Sequence, residues 1–356
     1  MRKSPGEEKR TNNYPWKTRG IVLTAPMIRD VDLVAEFIEK YLAGKVNLLV
    51  LQTRYRYQFR SHPECIGCEP LSYENVKTLV RAAKKAGIRL VPKMNLMGHQ
   101  SGLHNVPSDG ILHGGSGLAF TDPDGLLRAY PQFDETPEEK EVFYSRQLCP
   151  SHPDILPVVL DLADELMDVF EADGIHIGCD EAFHICKCPR CRGREPGEVF
   201  GTWVESIGRH VRARGGELLI WADRFLDDSV MHYGEWAASA NGTHTAVDLV
   251  DKSTVMCDWH YDSREKHGNT YPSVDFFAEK GFEMFLSPWN EPEPAKAFVE
   301  YARAHDKGHV RGVLATTWCN SGELAAHILR GRPTLWPKMP GIVEVLRYLL
   351  EDEEAK

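Results

Sequence analysis

No stretch of about 18 uninterrupted apolar residues occurs anywhere in the 356-residue chain, so no transmembrane helix is predicted. The opening residues, "MRKSPGEEKRTNNYPWK", contain no apolar run of the signal-peptide kind. Together these absences predict a cytoplasmic protein, whose nine cysteines are reduced thiols or metal ligands rather than a disulfide framework. Positive charge is also short: 42 Lys and Arg stand against 52 Asp and Glu, for a formal net charge of −10. A phosphate-binding face needs concentrated positive charge, so neither nucleic acid nor an anionic membrane is expected as a partner, while a homo-oligomer is left open. Low-complexity stretches and Pro/Gly/Ser linkers are missing, which argues for one folded unit. No glycine fingerprint follows the first apolar run, which counts against a dinucleotide-binding fold.

What the chain does have is a repeated pattern of short β-rich runs, each followed by an amphipathic segment. The runs are "GIVLTA" (20–25), "VNLLVLQ" (46–52), "IRLVPKM" (88–94), "GIHIGC" (174–179), "ELLIWA" (217–222), "TVMCDW" (254–259), "EMFLSP" (283–288) and "GVLATTW" (312–318). Most lack polar alternation, as parallel strands covered on both faces do. Helical patterns lie between them at 30–44, 72–87, 153–174 and 294–308, several closing on Gly, with Pro294 suited to a helix N1 position. Eight strand–helix units predict an α/β fold, a (β/α)8 TIM barrel with a single catalytic domain; a doubly wound open sheet is the alternative. The expected divisions are a polar arm over 1–18, the barrel over 19–335, and a C-terminal helix and tail over 336–356.

In such a barrel the site lies at the C-terminal strand ends. The residues there are Arg54 and Tyr55, His99, Asp180 and Glu181, Trp221 and Asp223, Trp259 and His260, Trp289 to Glu291, and Trp318 to Asn320. Four of the eight Trp residues fall in this set, which favours a stacking pocket. The segment from about 95 to 150, with His99, His104 and His113, is long enough to be a functional lid. The adjacent Asp180-Glu181 pair suits glycoside chemistry, in which one carboxyl protonates a departing oxygen. On strand periodicity the two side chains should point to opposite faces.

"DGIHIGCDEA" closely resembles the "HxGxDE" signature of glycoside hydrolase family 20, the β-N-acetylhexosaminidases. "RGIVL", "VPKMNLMGHQ", "QLCPSHPD", "LIWADRF", "FLSPWN" and "LATTW" resemble further family segments in the same order, over roughly residues 19 to 320. The resemblance implies a retaining, substrate-assisted hydrolysis of terminal β-linked N-acetylhexosamine, with no catalytic cofactor. Glu181 would be the general acid and then base, and Asp180 would hold the 2-acetamido group whose carbonyl oxygen attacks the anomeric carbon. Trp221, Trp259 and Trp318 match the wall around the acetyl methyl, and His99 matches the histidine supporting the acidic pair. Asp223, Trp289, Asn290 and Arg54 complete the expected substrate-binding set. Three positions depart from the pattern: Met27 stands where the family has a sugar-gripping arginine, "SPWNEP" has no matching tyrosine, and Asn320 replaces a glutamate. Arg29 or Arg54 could take the arginine's place. Two other readings follow from the residues. One is a retaining two-carboxylate barrel with Glu291 as nucleophile ~5 Å from Glu181. The other is a sugar-binding barrel that has lost turnover, for which Met27 is the argument.

"ECIGCE" and "HICKCPRC" give Cys65-x2-Cys68 and Cys188-x2-Cys191. Both lie after strands on one rim, which predicts a structural four-thiolate zinc site from Cys65, Cys68, Cys188 and Cys191, with Cys186 or His184 able to replace one ligand. Cys149, Cys179, Cys257 and Cys319 are expected to be packing residues.

Overall fold

Eight parallel strands close on themselves in sequence order: β1 (Thr18–Thr24), β2 (Leu48–Gln52), β3 (Arg89–Lys93), β4 (Gly174–His176), β5 (Glu217–Trp221), β6 (Val255–Asp258), β7 (Met284–Leu286) and β8 (Val310–Thr316). The seam is the β1–β8 pairing, which runs from Thr18 opposite Gly312 to Val22 opposite Thr316. These features belong to a computed structural model that describes residues 16–101, 125–140, 142–261 and 270–351. His104 and His113 lie outside the described residues.

The missing polar alternation has a direct structural cause. Successive strand residues point alternately into the barrel and out toward the helices, and both destinations are apolar. Val22, Leu48, Val50, Val91, Leu219, Val255, Phe285 and Leu314 fill the interior. Their chain neighbours Ile21, Leu23, Leu49, Leu51, Leu218, Ile220, Met256 and Val313 belong to the separate layer packed under the helices.

That outer layer comprises α1 (Val31–Phe37), α2 (Tyr73–Lys85), α3 (Gly125–Ala129), α4 (Ile155–Phe170), α5 (Pro196–Ala213), α6 (Asp228–Met231), α7 (Pro272–Lys280), α8 (Pro292–His305), α9 (Ser321–Arg330) and α10 (Met339–Leu350). Ser72 caps α2 by a reciprocal exchange with Asn75. Helix α8 starts two residues earlier than Pro294 suggested: Pro292 opens it and Pro294 sits in its first turn. Proline is tolerated there because first-turn N–H groups have no intrahelical acceptor. Between β5 and β6 the helical cover is short: α6 and two 3-10 segments, Asp223–Phe225 and Thr243–Asp248, the second of which packs on α5. Helix α10 packs on α8 and β8 and so belongs to the barrel wall. Among the described residues no helix is long and apolar enough to cross a membrane.

At the N-terminal strand ends Glu217 accepts from both Arg89 (2.8 Å) and Arg311 (2.5 Å), tying β3, β5 and β8 together.

Candidate active site

β4 is shorter than its apolar run. Its regular part stops at His176, and Gly178, Cys179 and Glu181 all take positive φ (69°, 63° and 51°). Gly178 is required there twice over, since a Cβ would also fall 2.7 Å from the Asn95 side chain. This turn overturns the expectation that Asp180 and Glu181 face opposite ways, because the strand has ended before the pair. Both carboxylates reach the same nitrogen: His99 Nε2 is 2.9 Å from Asp180 Oδ2 and 3.0 Å from Glu181 Oε2.

His99 arrives from the loop after β3, itself at φ 55°. Gly98 lets that loop touch the catalytic turn, for a Cβ there would lie 2.5 Å from the Asp180 carbonyl oxygen. Asn95, on the same loop, donates to Asp180 Oδ1 at 2.6 Å, while its own Oδ1 accepts from the Met97 and Cys179 amides. The Tyr144 hydroxyl donates to Glu181, and burial raises its pKa far above the ordinary value. The Glu181 amide is held from beneath by Asp223 Oδ2 at 2.9 Å, which also accepts from Arg224 Nε at 2.7 Å.

The electrostatics follow from this enclosure. Burial alone would depress His99, but the two carboxylates outweigh it and raise the imidazole from 6.5 to about 9. Burial would raise Asp180, yet the His99 charge and hydrogen bond hold it well below the usual carboxylate range. The result is an imidazolium that keeps Asp180 ionised and lies within hydrogen-bond reach of Glu181.

Above the pair opens a cavity of about 900 Å³ lined by Trp221, Trp259, Trp289 and Trp318, as the strand-end tryptophans suggested. Tyr261, beyond β6, also lines it and bonds them into a wall: its hydroxyl accepts from Trp318 Nε1 at 2.9 Å, and its ring lies 4.8 Å from Trp259 and 5.4 Å from Trp289. Lys93 forms part of the floor, 5.5 Å from the rings of both Trp221 and Trp318 and donating to Gln52 at 2.7 Å. Burial lowers its pKa to about 8. Arg54 lines the cavity and donates to the His99 carbonyl, whereas Arg29 has a side chain 73% exposed and lies outside the lining. Of the two arginines able to replace the one missing at Met27, the structure places Arg54 at the site.

Other expected residues stand behind the cavity or beside it. Asp223 supports Glu181 from below and does not line the cavity, nor does Asn290, whose carbonyl packs on Gly341. Tyr55 and His260 are buried, the first on Gln100, the second between Asp258 and Ser273. Asn320 caps α9. Glu291 stands at the N-cap position of α8, where its side chain makes no capping hydrogen bond, and is not among the lining residues. Sequence reasoning missed Asn95, Lys93, Tyr144, Tyr261 and Gln52. Asn95 and Lys93 lay inside the quoted "VPKMNLMGHQ" and Tyr261 two residues past Trp259, so position could have flagged those three.

The cysteine pairing differs from expectation. Cys65 is buried in the main core on a 3-10 turn and Cys68 is exposed, so neither joins Cys188 and Cys191. The turn carrying the latter pair packs instead on the 134–149 segment of the β3–β4 crossover, where it meets Cys149 and Glu135. Cys149 is therefore part of a cluster, and His184 is occupied elsewhere, with Nε2 2.8 Å from the Phe143 carbonyl. Cys179, Cys257 and Cys319 are buried.

Six of the ten non-glycine residues at positive φ among the described residues line this cavity: Arg54, His99, Tyr144, Glu181, His232 and Trp318. Backbone strain concentrated at one site marks it as functional. The lacto-N-biosidase of Bifidobacterium bifidum is 22% identical over 226 residues, 60% of this chain but 18% of that protein, so the chain spans under a fifth of this relative. The chitobiase of Flavobacterium johnsoniae (TM-score 0.62, 18% identity) aligns over 94% of this chain and 48% of its own. The β-N-acetylhexosaminidase of Bacteroides fragilis (TM-score 0.64, 14% identity) aligns over 94% and 67%. Residues 45–346 match the glycosyl hydrolase family 20 catalytic domain, and the chain belongs to that family.

Proposed function

We propose that the chain removes terminal β-linked N-acetylhexosamine, GlcNAc or GalNAc, from an oligosaccharide or small glycoside with retention of configuration, through substrate-assisted catalysis. The observation that carries this reading is the convergence of Asp180 and Glu181 on one imidazole beneath an indole-walled cavity. Glu181 gives a proton to the glycosidic oxygen as the bond to the anomeric carbon breaks. The acetamide carbonyl oxygen attacks that carbon, and Asp180, accepting from the acetamide N–H, stabilises the positive charge of the oxazolinium ion. Water, deprotonated by Glu181, then attacks the anomeric carbon from the face the leaving group vacated and breaks its bond to the acetamide oxygen, so configuration is retained. His99 and Asn95 keep Asp180 oriented and ionised throughout, while Trp221, Trp259 and Trp318 exclude water around the acetyl group. Half-exposed Trp236, 5.0 Å from the Tyr144 ring, offers a surface for the departing group.

This reading is favoured over a Glu291 nucleophile because Glu291 is absent from the lining of the cavity that holds Glu181. The test is turnover of 4-nitrophenyl N-acetyl-β-glucosaminide and -galactosaminide beside the β-glucoside. Strong preference for the acetamido substrates is expected, lost in Asp180→Asn and kept at a lower rate in Glu181→Gln. Equal turnover of the glucoside would sink the assisted mechanism, and no turnover of any of them would favour the sugar-binding alternative.

A further inference from the structure

Cys149, Cys188, Cys191 and Glu135 are all fully buried, and one ligand atom from each lies within 4.8 Å of the others. Cys188 Sγ is 3.2 Å from Cys149 Sγ and 3.1 Å from Cys191 Sγ, and Cys191 Sγ is 2.8 Å from Glu135 Oε1. These sulfurs are too far apart for a disulfide, whose bond is about 2.05 Å. They are closer than the ~3.8 Å edge of a tetrahedral site with Zn–S near 2.3 Å, so a small outward shift makes room for an ion. Glu135 supplies a second, independent observation. Its Oε1 accepts from the Lys187 amide at 2.6 Å, while its Oε2 is buried with no partner. An orphaned carboxylate oxygen is costly unless something positive meets it.

We propose that this cluster binds a structural zinc ion, with three thiolates from Cys149, Cys188 and Cys191 and one oxygen from Glu135. Three thiol protons leave on binding, so the ion's two positive charges meet four ligand charges, as soft thiolates with zinc commonly arrange. No position is left open, so the ion acts as a clamp and not as a Lewis acid. It ties the 134–149 segment, which carries Tyr144 onto Glu181, to the turn that follows the catalytic pair. Half-buried Cys186 packs beside the cluster and is not a ligand in this arrangement.

The test is elemental analysis of the full chain expressed with supplemented zinc, joined to native thiol counting before and after a chelator. One zinc per chain is expected, with three thiols becoming reactive as it is removed and protected again when zinc returns. Cys188→Ser and Glu135→Gln should lose bound zinc, and Cys65→Ser and Cys186→Ser should keep it. Absence of zinc in the wild type, or a mass lower by two hydrogens from a disulfide, would overturn the site. Loss of zinc in Cys186→Ser with full retention in Glu135→Gln would overturn the ligand set. The wild-type chelation measurement stands even where a variant fails to fold.

Discussion

His99 Nε2 lies 2.9 Å from Asp180 Oδ2, and this contact is the main one holding the imidazole protonated and the carboxylate ionised. The folded protein binds the imidazole proton more tightly than the unfolded chain does, since the pKa rises from 6.5 to about 9. The stabilisation is full below pH 6.5 and is lost as pH rises through about 9. Its size is roughly 3 kcal/mol at about 1.4 kcal/mol per pH unit, counted once for the pair. Asp180 shows the opposite sign: its contribution is full above its ordinary 3.8 and is lost only in stronger acid. Unfolding free energy from guanidinium titration should therefore fall between pH 6.5 and 8 in the wild type and not in His99→Gln, while above pH 8 loss of the Lys93 proton raises stability in both proteins. Parallel profiles for the two proteins would refute this role of His99.

The fold was readable because its code is local: eight doubly buried strands are eight apolar runs, and the tryptophans at their ends do face the cavity. The catalytic turn was legible as residues but not as geometry. A run such as "GIHIGC" does not declare that the strand ends at His176, so strand alternation carried on to Asp180 and Glu181 misplaces their side chains. Asn95 and Tyr144 act across 85 and 37 positions of sequence on Asp180 and Glu181, a proximity that only the crossover creates. The same limit explains the cysteines: spacing identified Cys188 and Cys191, while their neighbours Cys149 and Glu135 come from a segment with no CxxC signature.

Glu181→Gln should keep the fold and the cavity while removing proton delivery, a contribution of about 10²–10⁴-fold. The loss should grow as the leaving group becomes more basic, because a nitrophenolate departs almost unaided and a sugar alkoxide does not. A series of aryl N-acetyl-β-glucosaminides measures this as a slope of log kcat/KM against leaving-group pKa. A slope no steeper in the variant than in the wild type would remove Glu181 from the acid role.

Gly98→Ala tests whether backbone contact positions the site. The added Cβ would lie 2.5 Å from the Asp180 carbonyl oxygen, so the turn or the His99 loop must move. Overpacking of this kind costs typically ~1–3 kcal/mol. Activity should drop further than stability, by at least about tenfold, since shifts near 1 Å at reacting groups can cost ~100-fold. Unchanged kcat with a lowered melting temperature would assign Gly98 to packing alone.

Arg224→Met separates support from chemistry. Arg224 is buried, pairs with Asp223, and donates to the Glu235, Trp236 and Ala238 carbonyls, so it organises the loop of Trp236 as well as the platform under Glu181. Removing it leaves the Asp223 carboxylate buried with Oδ1 already unpartnered, a loss of about 3–5 kcal/mol for a broken buried pair. Burial already raises Asp223 from 3.8 to about 6, and without the guanidinium beside it the carboxyl rises further. The folded variant then holds a proton that the unfolded chain releases, so its stability must fall as pH rises above 3.8. Denaturant unfolding should consequently show a larger deficit at pH 8 than at pH 5. At pH 5 the neutral Asp223 can still accept from the Glu181 amide, so part of the activity should return relative to wild type. An equal deficit at both pH values would mean that the carbonyl contacts, not the ion pair, carry the role of Arg224.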